Sequence, residues 1–207
     1  NYVKGGNSRD LVDTVLDILE NYPPQTVKLL MNHIGTHDTA RILTVLGKEN
    51  GQAGDRAWQS AQKLTDEEYS RGVRLLKLAA VLQFTLPGVP SVYYGDEAGM
   101  QGYGDPFCRA GYPWDKENTE LLEFYKKLGN FRRNSPVFAS GEFEPVYANF
   151  GDIVYIRRKG NNAVLVAVNR WHEPSEIDIP AEFAAAKPVF GGMPINGKLQ
   201  LPAEGFA

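Results

Sequence analysis

Cysteine is almost absent from this chain: Cys108 is the single one among 207 residues. An internal disulfide and a cysteine-rich metal site are thereby excluded. Such a composition suits a reducing compartment such as the bacterial cytoplasm, and secreted bacterial proteins without disulfides share it. Basic residues are not in excess, with 22 Lys+Arg against 25 Asp+Glu and a formal net charge of −3. A nucleic-acid footprint would need a basic patch, so this class is disfavoured. No apolar run approaches the ~18 residues of a membrane span. Residues 1–6 hold neither an initiator Met nor an apolar signal core, so the chain is expected to be cut from something longer. A P-loop, a dinucleotide fingerprint, a Gly-x-Ser-x-Gly elbow and zinc spacing are all missing. What remains is ordinary: 43% hydrophobic and 23% charged residues, near the soluble globular average.

The first part of the chain alternates helices and strands. Asn7 or Ser8 caps a helix to about residue 22, with Leu11, Val15, Ile18, Leu19 and Tyr22 on one stripe. Pro23-Pro24 stops it. Residues 26–32 read as a strand apolar on both faces, which suits a buried parallel sheet. A short helix follows over 39–46, then a polar loop over 47–54. Thr65 and Glu68 form a capping box for a helix to about residue 84. Pro87-Gly88 breaks it, a second buried strand covers 89–94, and a long glycine-rich loop covers 99–113. Asn118 or Thr119 caps a last helix to about residue 133.

At Ser135-Pro136 the grammar changes to short strands, at 143–148, 153–158, 164–169, 176–179, 188–190 and 198–201. The segment 205–207 looks like the start of one more. A boundary near residue 135 follows: α/β over 1–135, antiparallel β over 136–207.

Three clusters could carry chemistry. In Gly35-Thr36-His37-Asp38-Thr39-Ala40-Arg41, directly after a strand, His37 and Asp38 could orient a substrate hydroxyl. The plain alternative is that Asp38 caps the next helix and His37 sits on the surface. In Tyr93-Tyr94-Gly95-Asp96-Glu97, adjacent carboxylates on an extended chain point different ways, so they make no automatic acid/base pair; they could simply cap a loop. Asp105 and Arg109 are four apart and could pair with each other. Held in a cleft, they would offer an acceptor and a forked donor to sugar hydroxyls. Cys108 has no partner for nucleophilic chemistry and reads as inert. His33 and His172 read as structural, and Trp58, Trp114 and Trp171 as packing or sugar-stacking aromatics.

Taken together these pieces resemble the α-amylase family of glycoside hydrolases. The segment Met31-Asn32-His33-Ile34-Gly35-Thr36-His37-Asp38-Thr39-Ala40-Arg41 is similar to the end of barrel strand seven. Pro87-Gly88-Val89-Pro90-Ser91-Val92-Tyr93-Tyr94-Gly95-Asp96-Glu97 is similar to strand eight, and Gly104-Asp105-Pro106-Phe107-Cys108-Arg109 to the loop after it. The subgroup resembled is that of neopullulanases and cyclomaltodextrinases, with Thr36 where a serine is usual. Gly104 stands where an asparagine commonly precedes the aspartate.

The resemblance implies a fold: the last βα units of a (β/α)8 barrel followed by an antiparallel β-sandwich. It implies that Asp38 stabilises the transition state, that His37 binds a hydroxyl of the same sugar, and that Asp105 and Arg109 hold the next sugar. The substrate would be an α-glucan oligosaccharide, with no nucleic acid, membrane or cofactor involved; many family members bind calcium, mostly through parts absent here, so calcium would belong to the full-length parent and no calcium-spaced oxygen-ligand loop stands in this chain. It also implies an absence. A retaining glycosidase needs a nucleophile and an acid/base carboxylate ~5–5.5 Å apart, and the family carries these after strands four and five. The chain is therefore expected to be a carboxyl-terminal part of a retaining hydrolase, inactive alone. A non-catalytic binding or assembly module is the alternative, and a free-standing α/β domain with a β tail ranks below both. Strands 26–32 and 89–94, each missing a barrel neighbour, would invite pairing with a second copy.

Overall fold

A computed structural model describes residues 2–48 and 54–207. Helix α1 (Ser8–Asn21) begins where the Asn7 side chain accepts from the Arg9 amide, and buries Val12 and Val15. Tyr22, expected on its apolar stripe, is exposed. Pro24 then starts a single helical turn, α2 (Pro24–Val27), because its fixed φ is preorganised for a first helical position. The strand expected over 26–32 is thereby reduced to β1 (Met31–His33), and Leu29 and Met31 are exposed rather than buried.

Helix α3 (Ile42–Gly47) starts three residues later than the 39–46 expectation. Of the polar loop expected at 47–54, residues 49–53 lie outside the described residues, and Gly47 ends α3. A short helix not foreseen, α4 (Arg56–Ala61), is capped by Asp55, whose carboxylate accepts from the Trp58 amide at 2.8 Å. The capping box forms as expected: the Thr65 amide donates to Glu68 at 2.9 Å and the Glu68 amide to Thr65 Oγ1 at 3.2 Å. It opens α5 (Asp66–Thr85). Two glycines let α3 and α5 approach closely, since a Cβ on Gly72 would lie 2.8 Å from the Leu43 carbonyl and one on Gly47 2.5 Å from that of Glu68. Strand β2 (Val89–Ser91) pairs with β1 and ends earlier than the expected 94. Buried Gln83 of α5 braces this small sheet, donating to the Asn32 carbonyl at 3.0 Å and the Ser91 carbonyl at 2.9 Å. Helix α6 (Thr119–Asn134) is capped by Asn118, which accepts from the Leu121 amide at 2.9 Å.

A single turn, α7 (Val137–Ser140), precedes the β region. Its strands are β3 (Glu142–Asn149), β4 (Asp152–Lys159), β5 (Asn162–Asn169), β6 (Ser175–Asp178), β7 (Met193–Ile195), β8 (Lys198–Leu201) and β9 (Gly205–Phe206). They form two antiparallel sheets, ordered β3-β4-β5-β9 and β6-β8-β7. Val154 and Ala167 from the first sheet meet Ile177, Leu199 and Leu201 from the second in one core cluster. Burying each such aliphatic side chain is worth ~1.5–3 kcal/mol. Pro145 is tolerated because β3 is an edge strand, with an irregular register between Pro145 and Tyr147. The expected strand at 188–190 is not one; β7 takes that place beside β8.

The chain divides into two compact units. One comprises Asn1–Leu30, Thr85–Val89 and Arg132–Ala207; the other Met31–Phe84 and Pro90–Phe131. In the first, the Ser8 amide donates to the Phe150 carbonyl at 2.8 Å and the Tyr2 hydroxyl to the Gly151 carbonyl at 2.6 Å. The beginning of the chain is thus bonded to the turn that joins β3 to β4. Arg157 lies buried beneath, donating to the carbonyls of Thr85, Gly141 and Glu142.

Candidate functional site

His37 and Asp38 lie in the connection between β1 and α3, inside the second unit. Local hydroxyls shape the turn: Thr36 Oγ1 accepts from the Asp38 amide at 3.3 Å and sits 3.3 Å from Thr39 Oγ1. Asp38 does not cap α3, whose N-cap is Arg41 without a side-chain bond. Its side chain stays 70% exposed, with Oδ2 3.3 Å from His37 Nε2.

The turn Phe107–Arg109 brings up the second pair. Arg109 Nε is 2.9 Å from Asp105 Oδ1, so the two residues do pair with each other. Both are about half exposed, and such a pair contributes only ~0–1 kcal/mol to stability. Arg109 does more, however. Its Nε also donates to the His37 carbonyl at 3.0 Å, and its Nη2 lies 3.4 Å from Asp38 Oδ1. The four singled-out residues His37, Asp38, Asp105 and Arg109 therefore come together in one polar cluster, joined by the guanidinium. Cys108 has a part in this that its sequence context does not reveal: it is fully buried and its thiol donates to the same His37 carbonyl at 3.2 Å.

The chain at Asp96 and Glu97 is a turn rather than the extended end of a strand, closed by the Asp96 amide donating to the Tyr93 carbonyl at 3.1 Å, and the two carboxylates part there. Glu97 turns back to accept from the Gly95 amide at 2.9 Å. Asp96 goes inward and meets Arg41, Nη1 to Oδ1, at 3.4 Å, with both side chains essentially buried. The same Nη1 donates to the Tyr94 carbonyl, and the guanidinium lies 4.3 Å from the Tyr93 ring centroid and 4.6 Å from that of Tyr94. Burial pushes the Asp96 carboxyl up to about 7; Arg41 pulls it down and Glu97 adds to the rise, but desolvation wins. Among the described residues, Asp96 Oδ2 and Arg41 Nε and Nη2 are buried without a hydrogen-bond partner. Nothing local in the sequence joins these two residues, which stand 55 positions apart. The pair's signal is an arginine directly before the apolar run Ile42-Leu43, where a solvated charge is out of place.

No group of three His, Cys, Asp or Glu side chains among the described residues could hold a metal ion. The two exposed carboxylates of the cluster face Arg109, a donor set unsuited to a cation. Among the described residues no helix is long and apolar enough to cross a membrane.

Residues 7–120, more than half of the chain, match the family model described as the α-amylase catalytic domain. The chain belongs to the α-amylase family. An amylopullulanase of Thermoanaerobacter thermohydrosulfuricus is 42% identical over 145 residues, covering 70% of this chain and 9% of that protein. A cyclomaltodextrinase of Geobacillus thermopakistaniensis is 33% identical over 180 residues, covering 85% of this chain and 27% of that protein. Among solved structures, the cyclic α-maltosyl-(1→6)-maltose hydrolase of Arthrobacter globiformis superposes with a TM-score of 0.74 at 25% identity, over 100% of this chain and 41% of that one. The chain thus spans less than a third of the curated relatives' length. Its architecture is that of α-amylase family proteins, a part of the barrel followed by the antiparallel β-domain.

Proposed function

We propose that this chain is the carboxyl-terminal part of a retaining glycoside hydrolase acting on α-1,4-glucans such as cyclodextrins, pullulan and maltooligosaccharides. The carrying observation is that Arg109 links the His37–Asp38 pair to Asp105 in one exposed polar cluster. Sugars are recognised by acceptors and forked donors of this kind. The named amylopullulanase and cyclomaltodextrinase relatives support the substrate class.

In this reading Asp38 accepts from hydroxyls of the sugar undergoing cleavage. As the ring flattens toward an oxocarbenium-like transition state, these contacts tighten and positive charge develops nearby, so the carboxylate stabilises the transition state more than the ground state. His37 contributes a hydrogen bond to the same sugar, and Asp105 with Arg109 holds the next one. Nucleophile and acid/base are assigned to upstream barrel strands of the full-length enzyme.

The test is an assay of residues 1–207 beside the full-length protein, with β-cyclodextrin and maltotriose as substrates. We expect maltose release from the full-length protein and none above the buffer blank from residues 1–207. Release by the 207-residue chain overturns the assignment of the bond-breaking groups. A full-length protein inert toward every α-glucan tested favours a non-catalytic binding module.

A further inference from the structure

We propose that Arg41 and Asp96 are positioning residues: their buried pair fixes the loop of residues 35–41, and with it the His37–Asp38 pair, against the segments that end β2 and carry Arg109. This rests on the reading of Asp38 as the carboxylate that acts in the transition state.

The pair is poorly built for stability alone. Taking both charges out of water costs several kcal/mol per ion, recovered only where geometry is excellent and the remaining polar atoms are satisfied. Here one contact of 3.4 Å joins them, and Oδ2 of the aspartate and Nε and Nη2 of the arginine have no hydrogen-bond partner among the described residues. Hydrophobic residues of similar volume would fill this space at lower cost.

Its placement suits alignment of the loop. Arg41 closes the loop at one end, where its amide donates to the Gly102 carbonyl at 2.9 Å and its guanidinium to the Tyr94 carbonyl. Asp96 closes the other end: its Oδ2 lies against Gly35, where any Cβ would collide with it. His37 and Asp38 stand between these two anchors, and the His37 carbonyl is held by Cys108 and Arg109. Every anchor of the loop thus belongs to the chain that follows β2. The other polar groups around Asp96 are Glu97, the rings of Tyr93 and Tyr94 that flank Arg41, and the buried Tyr125 hydroxyl of α6. None of these replaces Arg41 as a counter-charge.

Asp96→Ala removes the anchor, whereas Asp96→Asn keeps its shape and one acceptor. Gly35→Ala displaces the carboxylate while leaving both members of the pair intact, and serves where Asp96→Ala fails to fold. In the full-length enzyme we expect Asp96→Ala and Gly35→Ala to lower kcat by about 10- to 100-fold, as for a misplacement near 1 Å. KM should stay within about threefold, and Asp96→Asn should recover most of the loss. Adding Asp38→Asn to either variant should cost far less than the product of the single effects, because both act through one carboxylate. In the 207-residue chain, the His37 imidazole resonances should move in Asp96→Ala and Gly35→Ala and return in Asp96→Asn. Unmoved His37 resonances, or fully multiplicative kinetic losses, overturn the proposal. Should Asp38→Asn alone leave kcat intact while His37 still responds to Asp96, the functional reading falls and the positioning stands.

Discussion

Arg109 donates through Nε to the backbone carbonyl of His37 at 3.0 Å while its Nη2 lies 3.4 Å from the carboxylate of Asp38. A residue proposed to hold one sugar thus also sets the position of the groups proposed to act on its neighbour. Arg109→Lys keeps the charge but not the fork, and an ammonium cannot serve Asp105, Asp38 and the His37 carbonyl in the same geometry. We expect kcat/KM of the full-length enzyme on maltooligosaccharides to fall by about tenfold or more, with kcat falling as well as KM rising. A pure KM effect would confine Arg109 to substrate binding.

Asp38→Asn retains size and one acceptor but loses the charge. If the carboxylate acts mainly in the transition state, kcat and kcat/KM should fall together by ~10²-fold or more. His37→Ala should be milder, since a neutral hydrogen bond is weaker than a charge-assisted one. Steady-state kinetics on a cyclodextrin decide the matter. Near-normal turnover by the Asn variant would leave Asp38 as an ordinary surface aspartate.

The Asp96 carboxyl gives a prediction for stability rather than rate. Its folded-state value of about 7 lies above the ordinary 3.8, so the folded chain binds this proton more tightly than the unfolded chain. Its contribution is fully present below about pH 4 and is lost as the pH rises through the interval up to about 7, at a maximum of ~1.4 kcal/mol per pH unit. Urea midpoints of the wild-type chain should therefore fall across that interval more than those of Asp96→Asn, which cannot ionise. Parallel profiles would place the titration elsewhere.

We propose that the domain boundary lies near residue 135. The inter-sheet cluster of Val154, Ala167, Ile177, Leu199 and Leu201 belongs wholly to the region beyond it. Residues 136–207 alone should give a dispersed amide spectrum. A peptide of residues 1–30, added in trans, should raise the Tm by restoring the bonds from Tyr2 and Ser8 to the turn that joins β3 to β4. A collapsed spectrum with and without the peptide would move the boundary.

What was legible in the sequence was mostly local. The Thr65–Glu68 box and the Asn118 cap are decided by side chains within three residues of the amides they serve. Residues 26–32 alternate as a strand would, but the ring of Pro24 favours the first turn of a helix, and α2 takes the start of that segment. The strand expected at 188–190 failed because pairing with β8 chooses Met193–Ile195, and the signal for it was present. Asn196 and Gly197, both at positive φ, make the two-residue turn that joins Ile195 to Lys198. At the candidate site, the resemblance carried by several ordered motifs, rather than the spacing of any one, picked out the four exposed residues. The buried partners Arg41, Asp96 and Cys108 were not evident, because their roles depend on contacts 53 to 71 positions away in sequence.

The bond from Tyr2 to the Gly151 carbonyl spans 149 positions, and the whole of Met31–Phe84 and Pro90–Phe131 lies between its ends. The second unit is therefore an insertion within the first. At synthesis rates of ~5–20 residues per second, on the order of ten seconds separate the emergence of Tyr2 from that of its acceptor. Through that interval the carbonyls of Phe150 and Gly151 that receive Ser8 and Tyr2 have not yet been made. The ribosome thus delivers the guest before its host is complete.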